Sequence, residues 1–306
     1  MTEPDIDRVR ADVARLHAEL TRYGLVVWTA GNVSARVPGA DLFVIKPSGV
    51  DYDELTPGNL IQCDLDGNVV EGSEGSGLKP SSDTAAHAFV YRNMPEVGGV
   101  VHTHSTYATA WAARGEPIPC VITGMADEFG GEIPVGPFAI IGDDSIGRGI
   151  VGTLSGHRSR AVLMLSHGVF TIGKNARDAV KAAVMTEDVA RTVHIARQGG
   201  ELGAIAPEAI DSLFARYQNV YGQPSKGAMH LCPHRTRSPT SRSGSSPEAS
   251  ISTGRKRSAR SPGNPRRSRA RLRQRRPSLS GSSGSRCSPS RMRSAGPCWR
   301  RTATTG

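Results

Sequence analysis

The feature that most constrains this chain is an abrupt change of character at about Lys226. Residues 1–225 hold 18 Lys+Arg against 27 Asp+Glu, a net of −9, and their apolar residues recur with regular periods. Residues 226–306 hold 20 Lys+Arg and one acid, Glu248, a net of +19, in runs such as SRSGSSPEASISTGRKRSARSPGNPRRSRARLRQRRPSLSGSSGSR. A segment of Ser, Arg, Pro and Gly without apolar period cannot bury a core and is expected to be disordered. Folding is therefore expected of 1–225 alone, long enough for one sizeable core. The overall charge of +10 belongs to the tail and says nothing about the body.

The N-terminus carries Glu3, Asp5 and Asp7 and has no apolar stretch of the signal-peptide kind. No run of about 18 apolar residues offers a membrane span. Cys63 and Cys120 are the body's only cysteines and read as reduced thiols, so a cytoplasmic protein is expected. Cys232, Cys287 and Cys298 lie in the tail.

Within the body, Ile6, Val9, Val13, Leu16 and Leu20 predict an amphipathic helix over 5–23. Residues 24–36 read as a strand, a Gly-Asn turn and a second short strand; LFVIKP (42–47) reads as a strand stopped by Pro47. The Asp-Gly-Asn signal in 60–70 predicts a hairpin. Ser81-Ser82-Asp83 predicts a helix start, ended before Pro95. GGVVHTH (98–104) reads as a strand, with a helix from Ser105 to Ala113. PVGPFAI and RAVLMLSHGVFTIG are strand-like, and helices follow over 175–198 and near 207–219. The mixture predicts a layered α/β domain with a mixed or largely antiparallel sheet.

Three groups of residues could carry chemistry. His102 and His104 sit two apart in a predicted strand, so both imidazoles share a face at its end. His167, before Gly168 in a second apolar strand, is a third candidate for one metal ion, since zinc takes imidazole nitrogen and needs three or four ligands. Strand histidines also pair with backbone or solvent, and both readings stand at this point. His17, His87 and His194 lie on predicted helices and read as ordinary. The second group is the small polar segments Thr29-Ala30-Gly31-Asn32, Lys46-Pro47-Ser48-Gly49 and Lys79-Pro80-Ser81-Ser82-Asp83. Their amides, hydroxyls and lysines together could cradle a phosphate. The third is Asp127, in an apolar setting that could raise its pKa, and Tyr221, a phenol at the end of the body.

Taken in order, TAGNVSAR, KPSG, KPSSDTAAH, VVHTHSTYATAWA, LSHGVF and VYGQ resemble the class II aldolase family, which includes the adducin head. The likeness covers nearly all of residues 5–225. It implies a three-layer α/β/α fold with a central, mostly antiparallel sheet. It implies a divalent metal, Zn2+ or another such as Mn2+, on His102, His104 and His167, and a phosphate pocket at Gly31, Asn32, Ser48, Gly49, Ser81 and Ser82. It also implies a homotetramer with active sites between subunits. Asp83 stands where the aldolases carry a Glu and resembles the ribulose-phosphate epimerase branch, in which that Asp sits at the metal. Ala126-Asp127, Thr123 and Tyr221 also match that branch. Met125, where a His is usual, and Glu128-Phe129 depart from it.

The resemblance implies C4 epimerisation of a pentulose 5-phosphate, L-ribulose 5-phosphate to D-xylulose 5-phosphate, through retro-aldol cleavage to an enediolate and re-addition. Asp127 and Tyr221 are the expected proton carriers, and Lys46 joins the serines at the phosphate. The alternatives are an aldolase cleaving a sugar phosphate such as L-fuculose 1-phosphate, and a non-catalytic adducin-like interaction domain. The three histidines favour an enzyme. The basic tail (226–306) is expected to be a frameshift product or mis-called stop. With Trp299 as its one aromatic it lacks stacking platforms, so nucleic acid is not an expected partner.

Overall fold

The computed structural model describes residues 3–220. The tail from 226 and Tyr221 lie outside the described residues.

Seven strands form one sheet: β1 (Asn32–Arg36), β2 (Leu42–Ile45), β3 (Ile61–Asp64), β4 (Gly99–Thr103), β5 (Val135–Gly136), β6 (Ala161–Met164) and β7 (Gly168–Gly173). Their order across the sheet is β3-β2-β1-β4-β7-β6-β5. Every pairing is antiparallel except the short β5 beside β6. Among the described residues seven helices accompany it: α1 (Glu3–Arg22), α2 (Thr84–Asn93), α3 (Thr106–Arg114), α4 (Thr123–Phe129), α5 (Ser145–Leu154), α6 (Ala176–Arg197) and α7 (Pro207–Val220).

The strands' two-residue period sorts their side chains to opposite faces. Val100, Phe170, Ile172, Val162 and Met164 pack with Ala86, Val90 and Tyr91 of α2 and Ile146, Ile150 and Leu154 of α5. Val33, Ala35, Val44 and Val101 pack with Val13, Leu16 and Leu20 of α1 and Ala179 and Ala183 of α6. Ala161, Leu163 and Val169 join α3, α4 and α6 on that second face through Trp111, Met125, Phe129 and Val189. The sheet is thus the middle of three layers, as expected.

Several local expectations are corrected. Residues 24–30 form no strand: Trp28 takes a left-handed backbone (φ 56), and Val27 and Trp28 stand exposed. Only β1 follows the turn. PVGPFAI yields just the two-residue β5, and RAVLMLSHGVFTIG is two strands with a turn at Leu165–His167. Asp127 sits on a helix, α4, and α5 has no counterpart among the expected elements. The hairpin at 60–70 is present as β3 with a returning bridge, Cys63 to Val69. Among the described residues no helix is long and apolar enough to cross a membrane.

Candidate active site

The site begins where β4 runs out. β4 is central and fully buried, paired with β1 on one side and β7 on the other. His102 lies opposite Asn32 of β1 and Phe170 of β7. Its ring stacks on Phe170, centroids 4.1 Å apart. Its Nδ1–H donates to the Val169 carbonyl at 2.9 Å, which leaves Nε2 as the free lone pair. That nitrogen is 2.8 Å from His104 Nε2.

His167 arrives from the β6–β7 turn. The turn closes because Ser166, not Gly168, adopts the left-handed conformation (φ 55). Gly168 serves close approach instead: a Cβ there would meet the Thr103 carbonyl at 2.7 Å and the His104 ring at 2.9 Å. One nitrogen each of His102, His104 and His167 then falls within 4.8 Å of the others, so the three rings converge. His102 is buried, His104 exposed and His167 between the two.

Burial pushes the His102 imidazole down to about 4, against the opposing pull of Asp83; burial likewise lowers His104 and His167. All three are neutral at neutral pH, the form in which imidazole binds a cation.

Asp83 is the N-cap of α2, as the Ser81-Ser82-Asp83 start predicted, although its side chain makes no cap hydrogen bond. It is not among the donor atoms that converge. Asn32 donates from Nδ2 to Asp83 Oδ2 at 2.8 Å and to Ser81 Oγ at 3.0 Å. Burial opposes the Asp83 charge; the nearby His102 and His87 rings and the Asn32 amide favour it, and the carboxyl is held below its usual range. Asp83 Oδ1 and Asn32 Oδ1 are buried without a hydrogen-bond partner. Native interiors rarely leave such atoms unpaired. An acidic oxygen without a partner beside three neutral imidazoles is a donor set that fits a divalent cation.

The three small polar segments come together. An antiparallel bridge joins Pro47 to Pro80. Ser48 N donates to the Lys79 carbonyl at 2.9 Å and Ser81 N to the Lys46 carbonyl at 3.1 Å. Gly31 (φ 83) has no room for a side chain, since a Cβ would lie 2.9 Å from the His102 carbonyl. Gly49 is also left-handed (φ 71). Ser48, Gly49 and Ser82 line the outer side of the segments and are all exposed, while Lys46 is 2% exposed. The Lys46 ammonium donates to two carbonyls, Pro47 O at 3.2 Å and Thr29 O at 3.4 Å, and lies 5.3 Å from the Tyr52 ring centroid; burial lowers its pKa.

Of the two expected proton carriers, Asp127 lies on α4 and Tyr221 is outside the described residues. Thr123 opens α4 and is exposed; Asp127 is partly buried with Oδ1 unpartnered. Among the described residues no hydrogen bond or ion pair links either to the histidines. α4 packs on α7, whose last residue, Val220, directly precedes Tyr221. The departure at Glu128 has a structural role: its buried carboxylate pairs with Lys181 Nζ at 2.7 Å.

Two histidines read as ordinary are structural anchors. His17 is fully buried; its Nδ1–H donates to Val13 O at 2.8 Å and its Nε2 accepts from Val33 N at 2.9 Å, tying α1 to β1. His87 is fully buried beside Asp83, with Nδ1 2.7 Å from Ser34 Oγ, which in turn meets the Tyr91 hydroxyl. His87 comes four residues after Asp83, so i, i+4 spacing was its available signal. Sequence reasoning also passes over Glu187, within the Ala183–Ala190 stripe of α6; an acid on a buried face was the signal there.

This fold and site are those of the class II aldolase and adducin family. The chain belongs to the family described as Class II Aldolase and Adducin N-terminal domain, which matches residues 11–194. It is 42% identical over 201 residues to the L-ribulose-5-phosphate 4-epimerase UlaF of Salmonella paratyphi C (strain RKS4594), spanning 63% of this chain and 86% of that protein. Its structure resembles an L-fuculose 1-phosphate aldolase with a TM-score of 0.64 and 26% identity, over 69% of this chain and 96% of that one. It also resembles the l-fuculose-1-phosphate aldolase of Thermus thermophilus, with a TM-score of 0.54 and 26% identity, over 64% and 98%.

Proposed function

We propose that the chain is an isomerase that inverts C4 of L-ribulose 5-phosphate to give D-xylulose 5-phosphate. The observation that carries this reading is 42% identity to an L-ribulose-5-phosphate 4-epimerase over most of that protein's length, together with Asp83 where aldolases carry Glu. His102, His104 and His167, with Asp83 as the fourth donor, would hold the divalent cation, for which Zn2+ suits an imidazole-rich set and Mn2+ is the alternative. Bound there, it supplies Lewis-acid stabilisation of the charge that develops on the C2 and C3 oxygens.

The chain's own groups do the rest. Gly31, Asn32, Ser48, Gly49, Ser81 and Ser82 present amides and hydroxyls to the phosphate, and Lys46 adds positive charge. The fixed phosphate keeps the two-carbon aldehyde from leaving. Asn32 orients Asp83 through its Nδ2 contact. One of Asp127 and Tyr221 takes the C4 hydroxyl proton as the C3–C4 bond breaks, and the bonding pair stays with the three-carbon fragment. The aldehyde turns about C4–C5, that electron pair re-forms the bond on its other face, and the other carrier protonates the new C4 alkoxide. Thr123 stands one helical turn before Asp127 on α4, close enough in the chain to share its substrate contact.

Because α4 makes no hydrogen bond or ion pair to the histidines among the described residues, a homotetramer with sites between subunits fits this division of groups. The cytoplasm fits an unpaired-thiol body. Residues 1–225 would be the catalytic domain, and 226–306 a frameshift product; tail peptides in a digest of the native protein would exclude the latter. A second reading, cleavage of a sugar phosphate such as L-fuculose 1-phosphate, is favoured by the aldolase-like structures. Incubating the full, metal-loaded chain with L-ribulose 5-phosphate and following products by NMR tests both. D-Xylulose 5-phosphate is the expected product. Accumulation of glycolaldehyde phosphate and dihydroxyacetone would favour the aldolase outcome.

A further inference from the structure

We infer that Glu187 is a positioning residue for the metal centre: from α6 it fixes helix α3, and α3 sets the spacing of His104 and His167. The inference rests on the reading of those histidines as ligands.

α3 begins two residues after His104, with Ser105 as its N-cap. An N-cap serine ordinarily accepts from the second or third helical amide. Here it does not: Ser105 makes no side-chain cap, and its Oγ is buried without a partner. The Glu187 carboxylate takes that role from 80 residues away. Oε1 accepts from Tyr107 N at 2.9 Å, and Oε2 from Tyr107 N at 3.1 Å and Ala108 N at 2.9 Å. Charge-assisted bonds to free helix amides are among the stronger hydrogen bonds, and the helix dipole favours an anion there. One turn further along α6, the Ala190 carbonyl accepts from Trp111 Nε1 at 3.2 Å. α3 is therefore held against α6 at its start and in its middle.

Its far end reaches the other histidine. The Ala112 carbonyl of α3 accepts from Ser166 N at 3.0 Å, in the turn that carries His167. Gly115, the left-handed cap of α3, leaves room for Leu165 Cδ1, which a Cβ there would meet at 2.9 Å. So α3 touches the chain beside His104 with one end and beside His167 with the other. His102 needs no such help, being fixed by Val169 O and the Phe170 ring. Among the described residues His104 has no side-chain hydrogen bond except to His102, so its place depends on its backbone.

The test is Glu187→Gln in the full chain. Glutamine keeps the size but loses the charge and one acceptor oxygen. Zinc affinity is read by chelator competition, ligand geometry by the visible spectrum of the fully Co2+-loaded protein, and folding by thermal unfolding. Glu116→Gln, which breaks an exposed pairing with Arg114 and Arg197, serves as the control for a lost charge elsewhere. We expect zinc affinity to fall about tenfold in E187Q, in the range for lost outer-shell partners, with an altered cobalt spectrum and with E116Q like the native chain. A native affinity and spectrum in E187Q, whatever its melting temperature, would overturn the inference. If E187Q does not fold, Trp111→Phe removes the second tie to α6 and should weaken zinc binding in the same direction; unchanged affinity there counts against it. A native chain that binds no divalent metal would instead defeat the underlying ligand assignment.

Discussion

The two halves of the proposed chemistry are built from different material. The histidine cluster and the polar segments around Asn32 and Ser81 sit at the ends of central, doubly paired strands. There, backbone ladders, a ring stack and buried hydrogen bonds fix each group. Asp127 sits partly exposed on a seven-residue helix packed on α7, a helix without a buried residue. Coordination needs donors held to fractions of an ångström, which a sheet centre provides. A proton carrier need only reach the substrate, and Asp127, the carrier proposed on α4, makes no hydrogen bond or ion pair to the histidines among the described residues. Binding and proton transfer should therefore be separable by mutation.

The sharpest break of that comparison is His102→Ala. Losing the central ligand should abolish metal binding and cut turnover by about a thousandfold or more, read by metal content and product formation together. Next is Asp127→Asn, expected to lower kcat by about 10²–10⁴-fold, as for other proton carriers, with metal affinity unchanged. Loss of metal from D127N would erase the proposed division. Asn32→Ala removes the donor to both Asp83 and Ser81. With hydrogen bonds to charged groups worth about 1.5–3 kcal/mol, a rise in KM and a fall in kcat/KM of about 10–100-fold are expected in initial-rate kinetics.

The smallest effect tests an anchor outside the chemistry. Burial holds His17 at about 3 in the folded chain, against an ordinary value of 6.5. The folded state thus favours the neutral ring. Its contribution to stability is fully present above pH 6.5 and is lost as pH falls toward 3. The loss amounts to about 1.4 kcal/mol per pH unit for one proton. His17→Gln should make the acid limb of urea-unfolding stability shallower by one proton's worth while leaving metal affinity in place. An unchanged slope would show that His17 does not titrate on unfolding.

How much was legible follows the same division. His-x-His in a strand and the Lys-Pro-Ser and Gly-Asn segments announced the sheet-end groups, because a two-residue period and turn chemistry are local signals. Helix α1 was legible from its apolar period and α2 from its Ser-Ser-Asp start. The strand expected at 24–30 failed because hydrophobic content alone cannot reveal that Trp28 turns left-handed and outward. The helix that carries Asp127 was not legible, because α4 has only seven residues, too few for a clear period. Asp83 was legible as a metal-site acid only through the family resemblance; it lies beside the histidines with Oδ2 on Asn32 and Oδ1 unpartnered. Glu187 and His17 stay hidden because their partners, Tyr107 and Val33, are distant in sequence. Tyr221 lies outside the described residues.

The central claim is that C3–C4 of a pentulose 5-phosphate is broken and remade in this site. The most direct measurement is the carbon isotope effect on turnover of L-ribulose 5-phosphate by the full, metal-loaded chain, with 13C at C3 or at C4. Measurable effects at both carbons, with D-xylulose 5-phosphate as product, are predicted. Turnover without a 13C effect at C3, accompanied by a primary deuterium effect at the C4 hydrogen, would mean that inversion proceeds without C–C cleavage and would contradict the account.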